Sequence, residues 1–490
     1  MIEIIISDKA YENDIYPLVK AFYPNNTVKV LKDNESQNVT DTEDVLLIKC
    51  NFTEEGYTIN LSDYQHTMER SKLNDGALTK SQYKNAMKRF LYEILSEHTS
   101  RQLPWGILTG IRPTKLVYEM LEQGLTEDNI YQHMTNEYYC SMEKIDMSIL
   151  IARRERKLLK ELDYKNGYSL YIGIPFCPST CLYCSFTSYS IEKFSNLVEE
   201  YLNALEQEIE FASTCFSNKK LTTVYFGGGT PTTLTADQLD HLIGIVREKF
   251  DFTHVKEFCV EAGRPDSITR EKLQVLKKWG VDRISINPQS MQQRTLDLIG
   301  RHHTVDQVKE AFVLARETGH DNINMDIIIG LPGETEQDVE DTLDQIKQMN
   351  PESLTVHTLA LKRAARLNVE KESYDNMKAS GVARMLDDTI KYAKDNEYLP
   401  YYLYRQKNMT ENLENIGYSR YGKEGLYNIL IMEEKQTILA LGAGGMSKFV
   451  FHEENRLERV DNVKSVTDYI NRIDEMILRK RKFISENPGI

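Results

Sequence analysis

The stretch "SLYIGIPFCPSTCLYCSF", residues 169–186, joins an apolar β-type run to three closely spaced cysteines. Cys177, Cys181 and Cys184 follow the run directly, and two prolines keep the segment in a loop. One tight turn can therefore direct three thiolates toward a common centre. A structural zinc site needs four closed ligands, and no further Cys or His follows at a short interval. Three thiolates instead predict an iron-sulfur cluster in which one iron has no protein ligand.

From residue 168 onward, short apolar runs alternate with helical stretches. The runs with β character are "SLYIGI", "TTVYF", "EFCVEA", "RISIN", "NINMDIII" and "SLTVHTL". Helical patterns lie between or after them, near 191–213, 235–250, 268–279, 304–318 and 335–349. This alternation predicts six parallel strands with crossover helices. Both a partial (βα)₆ barrel and a doubly wound sheet accommodate the pattern, and in either the chemistry is expected at the carboxyl ends of the strands.

The unusual residues follow these runs. The first run leads into the cysteines, the second into "GGGTPT" at 227–232, and the third contains Glu261 near its end. The fourth leads into "NPQS" at 287–290 and the fifth into "GLPGET" at 330–335. Because parallel strands present their carboxyl ends at one edge, these segments are expected to surround a single site.

Length and charge limit the class of protein. A chain of 490 residues predicts more than one domain. Its net charge of −14 opposes binding to a phosphate backbone, so nucleic acid is not expected as a partner. The N-terminal sequence lacks the pattern of a signal peptide, and no apolar run reaches the roughly 20 residues that a bilayer requires. These features predict a cytoplasmic protein without a membrane span.

Four regions are predicted along the chain. Residues 1–100 form a small α/β domain with the strands "IEIII", "TVKVL", "DVLLIKC" and "YTINL" and a helix in "SQYKNAMKRFLYEILSEH". Residues 101–165 form a helical connector, with a helix beginning at about Thr114. Residues 166–365 hold the six strands. Residues 366–490 are expected to form a mainly helical domain that covers the substrate.

The cysteine spacing, followed by a glycine run at the next strand end, resembles the radical S-adenosylmethionine (SAM) superfamily. "YFGGGTPT", "VEAGRPDSI", "DRISINPQS", "IGRHHT" and "MDIIIGLPGET" resemble the oxygen-independent coproporphyrinogen III oxidase (coproporphyrinogen dehydrogenase) branch. "WGILTGIRPTKL", "SLTVHTL" and "PYYLYRQKN" resemble its HemZ-like variant along nearly the whole chain. The resemblance implies a partial (βα)₆ radical SAM barrel, a [4Fe-4S] cluster held by the three cysteines, and SAM chelated at the open iron.

The resemblance also implies which residues contact SAM. Backbone at the glycine run approaches the methionine moiety, Glu261 accepts from the ribose hydroxyls, and Arg301 pairs with the carboxylate. Phe186 covers the cluster or contacts adenine, with core packing as the alternative, and Tyr171 borders the reacting substrate. The implied cofactor-binding set is Gly227, Gly228, Gly229, Thr230, Glu261, Gln289, Arg301, Asp326 and Phe186. For Gln289 and Asp326, structural hydrogen bonding at the strand end is the alternative.

In relatives the substrate is a tetrapyrrole that bears propionates. The implied reaction removes hydrogen from the β-carbon of two propionates with loss of carbon dioxide, which converts coproporphyrinogen III to protoporphyrinogen IX. It requires an external electron donor such as a flavodoxin or ferredoxin. Candidate cations for the propionates are Arg112, Lys115, Arg405 and Lys407, for each of which solvated surface charge is the alternative.

Two positions depart from the pattern of the coproporphyrinogen dehydrogenases. Those enzymes carry CxxxCxxCxC and YxHIPFC, whereas this chain has Phe186 and Gly173 at the corresponding positions. Relatives that end CxxCxF include heme chaperones, which bind heme and pass it on. Three interpretations therefore stay open: a coproporphyrinogen III decarboxylase, a heme-binding carrier, and another radical SAM enzyme, such as a methyltransferase or ring-opening enzyme, that acts on a porphyrin.

Overall fold

A computed structural model shows how these segments fold. The chain forms two compact units, Met1–Arg153 and Arg154–Ile490. The finer boundaries at 100, 165 and 365 remain a proposal. The residues that the structure describes are 1–24, 26–32, 45–53, 55–63, 67–73, 76, 78–110, 112–184, 188–216, 218–360, 379, 381–405 and 413–488.

The first unit contains a mixed sheet. Its described strands are β1 (Ile2–Ile6), β2 (Val28–Lys32), β3 (Leu46–Phe52), β4 (Gly56–Ser62) and β5 (Thr67–Leu73). The strand order is β2-β1-β3-β4-β5, with β1 parallel to β2 and β3, and the remaining pairs antiparallel. The four strands predicted here are present. The fifth, β5, was missed because the polar edge sequence "TMERSKL" has no apolar alternation.

Two helices share the core of this sheet, and three more follow along the chain, the last of which runs past Arg153. The predicted long helix is α2, and it begins at a capping box formed by Thr79 and Gln82. The predicted helix near Thr114 begins at that residue as α3. The helix α1 was not predicted. The bounds are α1 (Glu12–Phe22), α2 (Lys80–Thr99), α3 (Thr114–Glu122), α4 (Glu127–Tyr138) and α5 (Met142–Glu161).

The second unit is built on the six predicted parallel strands. Its strands up to residue 360 are β6 (Gly167–Ile174), β7 (Phe176–Cys177), β8 (Tyr189–Ser190), β9 (Lys220–Gly228), β10 (Glu257–Gly263), β11 (Arg283–Ile286), β12 (Ile323–Ile329) and β13 (Ser353–Thr358). The parallel neighbours run β6-β9-β10-β11-β12-β13, in chain order. A doubly wound sheet reverses its strand order part-way, so this sequential order confirms the partial (βα)₆ barrel.

Helices alternate with these strands as predicted. Several begin where a threonine and a side chain three residues later form a capping box, as Thr235 and Gln238 do at α8. The bounds are α6 (Ile191–Phe194), α7 (Val198–Ser213), α8 (Ala236–Lys249), α9 (Arg270–Lys278), α10 (Gln293–Leu298), α11 (Val305–Glu317) and α12 (Glu336–Met349).

The C-terminal region corrects one expectation. It contains helices, but it also contributes strands to the barrel sheet at both edges. The antiparallel strands β14 (Leu399–Tyr404) and β15 (Asn415–Ser419) extend the sheet beyond β13. On the other side, β16 (Thr437–Leu441) pairs parallel with β6 and continues into β17 (Met446–Phe451) and β18 (Arg456–Asp461). Short runs buried on both faces, such as "NIGYS" and "TILAL", lack the alternation that marks a strand.

The remaining helices are α13 (Val382–Asp395), α14 (Leu426–Glu433), α15 (Val466–Asn471) and α16 (Ile473–Glu486). A buried ion pair ties α16 to the barrel helix α7. Lys480 Nζ lies 2.6 Å from Glu208 Oε1, and both side chains are fully buried. Asn462 and Tyr469 also donate to the Glu208 carboxylate, at 2.9 and 2.5 Å. Throughout the described ranges, no helix is long and apolar enough to cross a membrane.

Candidate active site

A cavity of about 370 Å³ lies where the barrel strands end. Side chains on or just after all six parallel strands line it, together with residues of β14, β15 and α14. Four of the five unusual segments therefore meet at one site, whereas "GLPGET" at 330–335 contributes no residue to the lining. The predicted residues found in the lining are Cys177, Cys181, Cys184, Gly228, Gly229, Thr230, Glu261, Gln289, Arg301 and Asp326.

Other predicted residues lie elsewhere. Arg112 and Lys115 belong to the first unit, where Lys115 pairs with Glu119 at 3.6 Å. Arg405 directly follows β14 and is buried, but it is not among the side chains that line the cavity. Phe186 and Lys407 fall outside the described residues.

Tyr171 lies behind the glycine run and not in the cavity lining. Its ring stacks on Tyr225 and on Tyr427, each at a centroid distance of 6.1 Å. The hydroxyl oxygen of Tyr171 lies 3.4 Å from the point where a β-carbon on Gly228 would stand. This position differs from the expected border with the substrate, so a direct catalytic role for Tyr171 stays a proposal.

Hydrogen bonds hold the cysteine loop against the end of α10 and the segment after β9. The amide of Leu182 donates to the Ile299 carbonyl at 3.0 Å, and the amide of Tyr189 donates to the Pro175 carbonyl at 2.9 Å. Thr230 Oγ1 donates to Cys177 Sγ at 3.5 Å. The loop that carries the cysteines is therefore positioned by backbone that lies far from it in sequence.

The glycine run fits closely beneath this loop. The amide of Gly229 donates to the Ile174 carbonyl at 2.7 Å. A β-carbon on Gly229 would lie 2.6 Å from the Phe176 carbonyl oxygen and 3.0 Å from Cys177 Sγ. Gly228 has φ +108°, which L-residues rarely adopt. Backbone can reach a ligand at this point only because side chains are absent.

Glu261 is half-buried beside the glycine run and lines the cavity. Burial raises the pKa of Glu261 to about 7, against the effect of a hydrogen bond from Tyr225, which donates to Oε1 at 2.5 Å. Gly227 makes room for this carboxylate, because a β-carbon there would lie 3.2 Å from Glu261 Oε2. The carboxylate is thus held beside the glycine backbone, as a group that contacts ribose hydroxyls would need to be.

Three polar side chains at alternate positions after and along β11 face the cavity: Ser285, Asn287 and Gln289. Gln289 has φ +67°, a strained conformation for a residue other than glycine. Two backbone bonds to β12 hold it there: its amide donates to the Asp326 carbonyl at 2.9 Å and its carbonyl accepts from Ile328 at 2.8 Å. The neighbouring strand therefore offsets the strain that directs Gln289 into the site.

Arg301 brings a buried cation to the same wall. Its Nη1 donates to the Tyr183 hydroxyl at 2.9 Å and its Nη2 donates to the Asn287 carbonyl at 2.7 Å. The Nε atom is buried and has no hydrogen-bond partner among the described residues. Such a cation, already held in place by the protein, suits the recognition of a carboxylate.

At β12 to β14, the part of the sheet farthest from β6, the cavity is lined by a second polar cluster, which consists of Asp326, His357 and Tyr404. His357 Nε2 lies 3.8 Å from Asp326 Oδ2, and the Tyr404 hydroxyl lies 3.5 Å from His357 Nδ1. Burial acts to raise the pKa of Asp326, but hydrogen bonding and charge from His357, with a bond from Asn324, hold it below its ordinary value. The Asp326 carboxylate is therefore ionised near neutral pH.

The residues present fit a [4Fe-4S] cluster with SAM. In the part of the chain that the structure describes, no three His, Cys, Asp or Glu side chains converge on a single metal ion. A cluster needs no such convergence, because each thiolate binds a different iron. Ser285 Oγ, Asn287 Oδ1, Gln289 Oε1 and Arg301 Nε are buried in the cavity wall without partners among the described atoms. The amino, carboxylate and hydroxyl groups of SAM would satisfy such atoms.

Comparison with known proteins agrees with this geometry. The family model of the radical SAM superfamily matches residues 171–346. The chain is 42% identical over 409 residues to the oxygen-independent coproporphyrinogen-III oxidase-like protein HemZ of Bacillus subtilis, which covers 83% of this chain and 82% of that protein. The chain belongs to the HemZ-like branch of the radical SAM superfamily. Members of the superfamily use a [4Fe-4S] cluster and SAM, the two groups that the cavity fits.

Other relatives of this HemZ-like chain carry two different names. The heme chaperone HemW of Bacillus subtilis is 40% identical over 192 residues, 39% of this chain and 50% of that protein. The oxygen-independent coproporphyrinogen III oxidase of Escherichia coli is 32% identical over 192 residues, 39% of this chain and 42% of that protein. The solved structure of coproporphyrinogen III oxidase (HemN) from Escherichia coli has the same fold, with a TM-score of 0.53, 24% identity, and coverage of 66% of this chain and 73% of that chain.

The HemZ-like chain has a structural reason for Gly173. A β-carbon at this position would lie 3.2 Å from the carbonyl oxygen of Leu441, at the end of β16. The residue after β16 comes closer still, since a β-carbon on Gly442 would lie 2.5 Å from the Gly173 carbonyl oxygen. The close approach of β16 to β6 therefore favours glycine where the coproporphyrinogen dehydrogenase pattern has histidine.

The residues of the radical SAM site that were not predicted include Tyr225, Arg264 and His357. Tyr225 and Arg264 lie within or beside the quoted motifs "YFGGGTPT" and "VEAGRPDSI", and His357 lies in "SLTVHTL". Strand alternation could have indicated Tyr225, since it shares a face with Gly227, two positions on. Nothing in the local pattern separates Arg264 from a surface arginine.

Proposed function

We propose that this protein catalyses the oxygen-independent oxidative decarboxylation of coproporphyrinogen III to protoporphyrinogen IX. The observation that carries the proposal is that one continuous cavity is lined both by the three cysteines and by His357 of β13 and Tyr404 of β14. The names of the HemZ and coproporphyrinogen III oxidase relatives support the choice of a tetrapyrrole. A flavodoxin or ferredoxin as electron donor, and a cytoplasmic location, belong to the same proposal.

The residues at the cysteine end would hold the cofactors. Cys177, Cys181 and Cys184 would bind the cluster, and Arg301 would bind the SAM carboxylate. The glycine backbone would contact the methionine moiety, and Glu261 would accept from ribose hydroxyls. The chemistry that the bound groups supply is reductive cleavage of SAM and removal of a hydrogen atom from a substrate carbon.

The other end of the cavity would hold the reacting propionate. His357 is flanked by the Asp326 carboxylate and by the Tyr404 hydroxyl. An imidazole N–H of His357 would donate to a propionate carboxylate in a partly buried site. Each propionate loses one hydrogen atom, one electron and carbon dioxide to become a vinyl group, so an electron acceptor is also required. Arg112, Lys115, Arg405 and Lys407 remain proposed contacts for the other propionates.

A heme-binding carrier is the second candidate. It is favoured by the 40% identity to HemW across 192 residues and by the CxxCxF ending of the cysteine motif. In a carrier the same cavity would bind heme, and the cluster would serve regulation or stability. Another radical SAM reaction on a porphyrin would share the cofactor end and differ only in its product.

The test is an anaerobic assay of the reconstituted protein with reductant, SAM and coproporphyrinogen III. The proposal expects protoporphyrinogen IX and 5′-deoxyadenosine. Heme retained without either product would favour the carrier, and 5′-deoxyadenosine with a methylated or ring-opened tetrapyrrole would favour the third interpretation. Either result would overturn the proposed decarboxylation.

Variants separate the two ends of the cavity. His357→Phe is expected to lower decarboxylation at least about tenfold while SAM affinity stays at the wild-type value. The control is His254→Phe, an exposed position in the turn before β10. For Arg405→Ala, unchanged porphyrin affinity and unchanged turnover would remove that residue from the proposed contacts.

A further inference from the structure

Arg264 lies three residues after Glu261 and is buried, with 4% of its surface exposed. One side of its guanidinium is bound by Asp266: Nε donates to Oδ1 at 2.9 Å and Nη2 donates to Oδ2 at 2.6 Å. This two-point contact fixes the plane and the direction of the guanidinium.

The remaining guanidinium nitrogen faces the cysteine loop. Arg264 Nη1 donates to Ser179 Oγ at 2.9 Å and lies 3.4 Å from the Ser179 carbonyl oxygen. It also lies 3.7 Å from Cys181 Sγ, within hydrogen-bond reach of sulfur. Cys181 itself is buried, so water does not compete strongly for this contact.

We propose that Arg264 raises the reduction potential of the cluster through an N–H···S hydrogen bond to the Cys181 thiolate. Hydrogen bonds and positive charge beside the ligand sulfurs stabilise the reduced cluster, which carries one more negative charge. Arg264 is a positioning and tuning residue in this proposal, since it acts through a cluster ligand. The proposal requires only the cluster, and it stands or falls independently of the tetrapyrrole reaction.

Two other described groups near the cysteines differ from Arg264. Arg301 is also buried in the cavity wall, but its Nη1 and Nη2 donate to Tyr183 and Asn287 rather than to sulfur. Thr230 donates to Cys177 Sγ at 3.5 Å, but its hydroxyl is neutral. Asp266 offsets part of the charge on Arg264, which predicts that removing either member shifts the potential, in opposite directions.

The test is an EPR-monitored redox titration of the reconstituted [4Fe-4S] cluster, without SAM or tetrapyrrole. Arg264→Met is expected to make the midpoint reduction potential of the cluster more negative. The expected shift is ~59 mV, which for one electron corresponds to a tenfold change in the reduction equilibrium. Asp266→Asn is expected to move it to a more positive value. Arg264→Lys keeps the positive charge but lacks the planar guanidinium, so its midpoint potential is expected to lie between those of Arg264→Met and wild type.

Arg294→Met is the matched control, because Arg294 is exposed, pairs with Asp338 and is not among the residues that line the cavity. Its midpoint is expected to equal that of wild type. If Arg264→Met fails to assemble a cluster, the midpoints of Arg264→Lys and Asp266→Asn decide the question. Wild-type midpoints in those two variants would show that Arg264 only supports the loop, and would overturn the proposal.

Discussion

Tyr225 of β9 donates its phenolic hydrogen to Glu261 Oε1 of the neighbouring strand β10, at 2.5 Å. The Tyr225 ring is itself fixed by stacking on Tyr427, at a centroid distance of 4.3 Å. This bond orients a carboxyl group whose pKa burial has raised to about 7. SAM binding is therefore expected to depend on pH near neutrality.

The pH dependence of SAM affinity has a definite sign. Below about pH 7, Glu261 is mostly protonated in the protein without SAM. An ionised Glu261 accepts from hydroxyls and attracts the sulfonium cation better, so affinity should rise as pH increases through 7 and then level off. We expect affinity at about pH 6 to be lower than the plateau by up to about tenfold. Anaerobic calorimetry measures it, and Glu261→Gln should flatten the profile.

Tyr225→Phe provides the companion measurement. The hydrogen bond from Tyr225 lowers the pKa of Glu261, so its removal should raise that pKa further. The midpoint of the affinity profile should then move to higher pH, with the plateau little changed. A midpoint that stays fixed or moves to lower pH would mean that Glu261 does not control the profile.

Cys181→Ala should remove the cluster and SAM cleavage together. Two thiolates cannot hold a [4Fe-4S] cluster of this type, so iron and sulfide content should fall to background and 5′-deoxyadenosine should not form. Cys215→Ala is the control, since Cys215 lies after α7 and away from the cavity lining. Retained SAM cleavage in Cys181→Ala would contradict the assignment of the three cysteines.

Gly229→Ala should impair the site through backbone displacement. The new β-carbon would stand 2.6 Å from the Phe176 carbonyl oxygen, which cannot move without shifting the cysteine loop. We expect at least about a tenfold loss of SAM affinity, measured on protein of known cluster content. Gly110→Ala is the control, because no atom lies within 4 Å of its added β-carbon. Wild-type SAM affinity in Gly229→Ala would mean that the site tolerates a side chain at this position of the glycine run.

Lys480→Met should destabilise the second unit. The substitution leaves the Glu208 carboxylate buried without its cation, a loss of about 3–5 kcal/mol in the free energy of unfolding. Denaturant unfolding measures it. The control is Lys482→Met, where an exposed pair with Glu486 is removed and the change should stay below about 1 kcal/mol. Equal stabilities of the two variants would contradict a structural role for the buried pair.

Local sequence patterns account for much of the architecture. The runs that became β6 and β9 to β13 are recognisable because each is apolar and short and is followed by a helical period. The threonines that cap α8, α11 and α12 place the helix starts within a few residues of prediction. By contrast, β16 is a fully buried run of five residues, and nothing in it specifies that its partner is β6, more than 260 positions earlier.

Local sequence specified the cysteine loop, the strand-end motifs and the six strand–helix units, because each depends on residues close together in the chain. Tertiary structure alone decided which side chains meet. Arg264 reaches Cys181 across 83 positions, and Tyr225 reaches Glu261 across 36. Such contacts depend on strand pairing, register and side-chain direction, which a local pattern of polar and apolar residues does not encode. The strained Gln289 likewise exists only because β12 holds its backbone on both sides.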